Sequence, residues 1–182
     1  MPAPLPVYHT VDDVQSIPDD GNRYELVYGL LLVSPTPRPA HQKVVMRLAH
    51  MLLDYCRREK AGELFCVGAD LTWGRKDLLV QPDLFVVGAE NAGWQNWSDI
   101  VHVPLVVEVL SPSTIHHDRF YKRIAYRDQG VSVLWILDAD EQYAEVWAPE
   151  AQFPVLQRKC LTWQPAAGAT AFTVDLNELF AH

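Results

Sequence analysis

Two short apolar runs each carry one carboxylate where packing would favour a hydrocarbon. The first is Gln81-Pro82-Asp83-Leu84-Phe85-Val86-Val87, and the second, with its acid 25 residues after Asp83, is Leu105-Val106-Val107-Glu108-Val109-Leu110. An ionised acid in a buried strand costs several kcal/mol unless it is compensated. That cost is most readily met when such acids converge on a metal ion or a catalytic proton, and a divalent cation suits oxygen ligands alone. Side chains alternate along a strand, so Asp83, Phe85 and Val87 share one face, as do Val106, Glu108 and Leu110. If the two strands are neighbours, both carboxylates meet at one end of a sheet. The competing reading is a pair of structural acids bonded to backbone or arginine.

Downstream, Asp118, Lys122 and Tyr126 recur every four residues and form one polar stripe of a helix, bordering an apolar arc of Phe120, Tyr121 and Ile124. An exposed Asp118–Lys122 pair would contribute only a few tenths of a kcal/mol, roughly 0.2–0.5. The border position instead lets the Lys122 ammonium reach past the helix toward the sheet. Arg119, Arg123 and Arg127 form a second stripe further toward solvent, expected first as a solvated face and, together with Arg75-Lys76, as the candidate grip if a polyanion is bound. Other chemistries lack their residues. His116-His117 project in different directions, and no His-Glu-x-x-His, Gly-x-Ser-x-Gly or Gly-rich phosphate loop occurs.

These side chains need a framework, and the chain supplies an α/β order. Thr10 is placed to cap a short helix, and Tyr24–Ser34 reads as a strand or tight hairpin. Val44, Leu48, Leu52 and Cys56 repeat at i+4, which predicts a helix over 39–60 closed by Gly62. Strands are expected at 63–73 and 80–87, joined across Gly74-Arg75-Lys76-Asp77, and a polar loop at 89–102. Leu105–Leu110 reads apolar on both faces, as a central strand does. A helix over 114–129 ends at Gly130, followed by paired strands at 131–137 and 143–147. Two weaker strands and a helical turn at 176–180 complete the chain. The expectation is a mixed β-sheet flanked by α-helices, within one domain spanning 1–182.

Composition sets limits. Of 182 residues, 49% are hydrophobic and 21% charged, ordinary for a globular chain. Three scattered cysteines (Cys56, Cys66, Cys160) argue against a disulfide framework and for a reducing compartment. Met1–Val7 has neither a basic region nor a long apolar stretch, so no signal peptide is expected, and no run could cross a bilayer. A cytoplasmic protein without a membrane role is expected. The net charge of −8 counts against a high-affinity non-specific DNA coat and leaves room for a small basic groove.

The order Tyr24-Glu25-Leu26, Ser34-Pro35, His41-Gln42, Gln81-Pro82-Asp83, Glu108-Val109-Leu110-Ser111-Pro112-Ser113, then Asp118, Lys122 and Tyr126, resembles the bacterial Uma-type restriction endonuclease family. That family lies in the restriction-endonuclease-like, PD-(D/E)XK superfamily, and the resemblance runs from about residue 8 to 150. It implies a restriction-endonuclease-like core and a metal-dependent nuclease acting on nucleic acid, DNA first. Asp83 matches the motif aspartate, Glu108 the second acid and Glu25 the N-terminal acid. The usual lysine position is Leu110 here, and its role passes to Lys122. Asp83 and Glu108, with the backbone carbonyl of Val109, are then the expected ligands of Mg²⁺ or Mn²⁺. Lys122 would orient water or stabilise charge, with His41 and Tyr126 behind the first ligands at most. Many relatives carry an Asp-Gly-Glu stretch where this chain has Tyr28-Gly29-Leu30, so a second acid is missing there. The alternatives are a degenerate member that binds nucleic acid or protein without cleaving, and a structural module; a homodimer stays open.

Overall fold

The computed structural model describes residues 7–66, 68–91, 93–166 and 168–181. It opens with α1 (Val11–Gln15), where Thr10 and Asp13 form a reciprocal capping box. The hairpin β1 (Arg23–Val27) and β2 (Leu30–Ser34) follows. Tyr28 (φ 50°) and Gly29 (φ 83°) are both left-handed, the two-residue turn that matches strand twist. Helix α2 (Pro39–Glu59) has proline in its first turn and ends at Lys60, itself left-handed at φ 54°. The expected stop at Gly62 is therefore two residues late. Gly62 serves a different need, because a Cβ there would lie 2.4 Å from the carbonyl oxygen of Val87.

Both strands expected around the Gly74 turn are shorter than the sequence suggests. The first is only β3 (Glu63–Cys66), and the second is only β5 (Leu84–Val87), with a separate short strand β4 (Leu78–Leu79) just before the expected start. Pro82 cannot donate to a ladder, so the chain changes sheet there. β4 pairs with β1, making a small sheet β2-β1-β4, whereas β5 joins the main one. The main sheet adds β6 (Leu105–Val109), β7 (Leu134–Asp138), β8 (Tyr143–Trp147) and β9 (Val155–Gln157), in the order β3-β5-β6-β7-β8-β9. Among the described residues only β6 and β7 pair in parallel. That pairing demands a crossover, supplied by a π-helical stretch, His117–Lys122, running into α3 (Arg123–Asp128). The C-terminal region holds three strands rather than two: β9, and the ribbon of β10 (Cys160–Trp163) and β11 (Phe172–Asp175) before α4 (Leu176–Phe180).

The main sheet is covered on both faces. On one, Leu84, Val86, Leu105, Val107 and Val109 pack against Val44, Leu48 and Leu52 of α2 and against the β10–β11 ribbon. On the other, Phe85, Val106, Leu134 and Ile136 meet Ala125 and Tyr126 of α3 and Leu78 near the small sheet. Period 2 puts Glu108 on this second face, beneath the crossover helix. The site is thereby assigned to one side of one strand.

Candidate active site

In the pairing of β5 with β6, Leu84 is opposite Val107. One step further in that register sets Asp83 opposite Glu108, on the face covered by the crossover helix. Both strand acids expected to meet are therefore cross-strand neighbours. Lys122 reaches them from the crossover, and Glu25 arrives from β1 through the β4–β5 connection, where the Gln81 N–H donates to Glu25 Oε1 at 2.7 Å. Glu25, Asp83 and Glu108 are each 1% exposed and Lys122 is 0% exposed. The four candidate side chains converge, and none is a solvated surface group.

Lys122 Nζ lies 2.6 Å from Glu108 Oε1, 2.8 Å from Glu25 Oε1 and 3.5 Å from Asp118 Oδ1. These are close charge pairings whose angles fall short of hydrogen-bond alignment. The π-helical stretch carries both Asp118 and Lys122 inward, and Phe120, midway between them, falls on the opposite, outer face. Phe120 was expected in the apolar arc; it is instead one of the exposed aromatics. The Tyr126 hydroxyl, one turn on, donates to Glu108 Oε1. Stripe positions 118, 122 and 126 thus all serve the interior.

The acids sit in unlike surroundings. Asp83 Oδ2 accepts from the Val109 N–H at 2.8 Å and pairs with His41 Nε2 at 3.0 Å, while Oδ1 lies 3.4 Å from Arg23 Nη1. Burial works against its ionisation, but the His41 hydrogen bond, with Arg23 and Lys122 nearby, outweighs it and holds the pKa below the ordinary aspartate value. Burial instead pushes Glu108 up to about 8; Asp118, Asp83 and Glu25 add to the rise and Lys122 opposes it. Burial raises Asp118 as well. Burial alone would lower the pKa of Lys122, yet Glu108, Glu25 and Asp118 overcome it and hold the ammonium charged well above the usual lysine range. One carboxylate is kept ionised and its neighbour is poised near neutrality. Such divergence between adjacent acids marks functional sites more often than structural ones.

Several buried polar atoms here have no hydrogen-bond partner among the described residues: Glu108 Oε2, Asp118 Oδ1, His41 Nδ1 and Ser34 Oγ. Buried polar groups are nearly always satisfied, so orphans from four separate segments, three of them adjoining the same acids, point to something the protein alone does not supply. Among the described residues, no three His, Cys, Asp or Glu side chains form a ready metal cage. The oxygen donors at hand are the opposed carboxylates of Asp83 and Glu108.

Arg23 and the Glu145 cluster were missed from the sequence. Arg23 is two residues before Glu25 on β1, hence on the same strand face, and that spacing was a usable signal. The arginine stripe is a correction. Arg119 Nε donates to Glu145 Oε1 at 2.7 Å and approaches Asp138, while Arg123 stacks over Trp147 and Arg127 pairs with Asp128. Arg75 is likewise forked onto Asp77. Each is engaged within the protein, Arg119 by a buried acid, Arg123 by an aromatic ring, and Arg75 and Arg127 in surface pairs. Arg119→Gln should therefore act on stability, at about 1–3 kcal/mol for leaving buried Glu145 short of its charged donor. Urea unfolding checks this, and an unchanged midpoint would return Arg119 to the free surface. Tyr28 and Leu30, where an additional acid was sought, lie outside the cluster: Tyr28 forms the hairpin turn and donates its hydroxyl to Asp128.

Residues 11–169 match the family model Uma2, described as "Putative restriction endonuclease". The fold recurs in the crystal structure of "a putative nuclease belonging to DUF820" from Anabaena variabilis ATCC 29413. The two chains share 17% identity at a TM-score of 0.77, over 94% of this chain and 97% of that one. No curated protein matches the chain. Among the described residues no helix is long and apolar enough to cross a membrane.

Proposed function

The chain belongs to the Uma2 family of "putative restriction endonucleases", and from that premise and the site's geometry we propose a divalent-metal-dependent endonuclease that hydrolyses nucleic-acid phosphodiesters, with DNA the first candidate substrate. The observation that carries this reading is the pair Asp83 and Glu108, opposed across two buried strands, with Glu108 Oε2 lacking a donor among the described residues. A buried carboxylate oxygen left unsatisfied costs about 1–3 kcal/mol or more, and a cation removes that cost. The residues fit Mg²⁺ or Mn²⁺: two carboxylates, the Val109 carbonyl and water form the sparse oxygen set such ions accept alongside substrate phosphate. When bound, the ion supplies charge to the phosphate and lowers the pKa of a water.

The chain's own groups do the rest. His41 and the Val109 N–H fix the rotamer of Asp83, and Tyr126 fixes Glu108. Lys122, anchored by Glu25, carries a permanent positive charge with which to orient a nucleophile or offset charge developing on the phosphate. A second reading, a nuclease fold that binds without cleaving, is favoured by one observation: Lys122 and Arg23 already balance the acids internally.

The test is cleavage of supercoiled, linear, branched and single-stranded DNA with Mn²⁺, with Asp83→Ala as control. Its pH dependence is specific. Glu108 titrates near 8, and a ligand must lose its proton before it holds a metal. Mn²⁺ affinity should therefore rise about tenfold per pH unit from pH 6 to 8 and level off above, by calorimetric titration. Metal-dependent cleavage absent from all four substrates favours the binding reading; a flat metal affinity across that range removes Glu108 from the ligand set.

A further inference from the structure

Arg23 is the least settled charge in the site. Its guanidinium offers five N–H donors, yet Nη1 reaches only Asp83 Oδ1 at 3.4 Å and the Gln81 carbonyl at 3.3 Å, and Nε stands 3.7 Å from Glu25 Oε2. Charge-assisted hydrogen bonds of this kind normally close to about 2.7–2.9 Å. The arginine therefore balances two acids without being locked to either. It also lines a cavity of about 460 Å³, bounded among others by Tyr24, Thr36, Gln42, Asp70 and Gln81, and it is the only cation lining it among the described residues. The acids of that cavity are engaged: Asp70 accepts from Gln81 Nε2 at 2.7 Å and Asp19 from the Gly21 N–H at 3.1 Å. With Arg75, Arg119 and Arg127 each paired with a carboxylate, Arg23 is the arginine with spare donors at the edge of the site.

We propose that Arg23 is the phosphate-binding residue of this site. Its guanidinium stands in as counter-ion to Asp83 and Glu25 while no divalent cation is held, and it turns into the cavity to grip a non-bridging oxygen of the substrate strand when one is. This rests on the nuclease reading above. The guanidinium fork matches phosphate geometry, whereas a lysine at the same place would act only as a point charge. Cation and guanidinium compete for the same carboxylates, so whatever ties up one side favours the other. Metal and phosphate binding become mutually reinforcing, as coupling between two ligands must be reciprocal.

The experiment uses the full chain and its Arg23→Gln and Arg23→Lys variants. Binding of a fluorescein-labelled DNA duplex in Ca²⁺ is followed by anisotropy, and Mn²⁺ binding without DNA by calorimetry. Arg23→Gln should weaken duplex binding about tenfold while tightening Mn²⁺ severalfold, and Arg23→Lys should fall between in duplex affinity. Opposite movement is the signature, since a merely structural loss would weaken both. Weakening of both together in the two variants, or an unchanged duplex affinity in Arg23→Gln, overturns the proposal. If the parent cleaves DNA and the glutamine variant binds duplex equally well, only the role of Arg23 falls. If the parent neither binds nor cleaves nucleic acid, the nuclease reading falls and takes this one with it.

Discussion

Lys122→Met should destabilise the metal-free protein far more at pH 8 than at pH 5.5. The ammonium is wholly buried among Glu108, Glu25 and Asp118, and removing one partner of a buried ion cluster costs roughly 3–5 kcal/mol. A domain of this size has about 5–15 kcal/mol in hand, so the loss is a large share of the total. It corresponds to a melting temperature lower by roughly 6–20 °C. Lys122 itself does not titrate between the two pH values. Its folded-state pKa is held above the unfolded value of about 10.4, so its contribution is fully present at both and is lost only at much higher pH. The acids are what change. Burial already raises Glu108 and Asp118 with the lysine in place, and without it their charged forms are dearer still. At pH 5.5 they can take up protons and escape the penalty; at pH 8 folding must overcome it. Thermal melts of both proteins at the two pH values decide this. An equal loss at both would mean that the methionine disturbs packing and that charge is secondary.

The same burial explains why the sequence revealed the strand acids so readily. Asp83 and Glu108 stand out because each interrupts a hydrocarbon run, and period 2 then fixes the face they share. Lys122 was legible for a related reason, since a four-residue spacing ties it to Asp118 and Tyr126 at the edge of an apolar stripe. The π-helical turn was not legible. Nothing in His117–Lys122 distinguishes an i→i+5 ladder from an ordinary helix. The β4–β5 break was written in Pro82, but its consequence, a strand that leaves one sheet for another, depends on the distant pairing with β1. The arginine stripe misled because helical spacing reports which residues share a face and says nothing about what the face meets. Glu145 and Asp138 lie on strands formed later in the chain, and they turn an apparently solvated stripe into a set of internal pairs.

Glu108→Gln should separate stability from function in opposite directions. An acid whose pKa rises from 4.5 to about 8 on folding holds its proton more tightly in the native state. Its contribution to stability is therefore full below about pH 4.5 and is lost as pH climbs toward 8. Glutamine has no proton to lose, and it leaves Lys122 two partners in Glu25 and Asp118. With one proton's linkage at about 1.4 kcal/mol per pH unit, the variant should gain on wild type by roughly 2–3 kcal/mol between pH 6 and pH 8 without metal. Denaturant unfolding at the two pH values measures it. A difference independent of pH would mean that Glu108 is ionised throughout and fully paired by Lys122, as a structural acid would be. Mn²⁺ should reverse the order. At about 100 times its Kd a ligand adds about 2.7 kcal/mol to the protein that binds it, and glutamine forfeits the charge with which position 108 is proposed to hold the ion. Cleavage should fall with it, by about 10²-fold or more. On the proposed reading, a site that takes a cation holds Glu108 at a disadvantage when the cation is absent, and a wild type less stable than Glu108→Gln at pH 8 without metal is the expected trace of that arrangement.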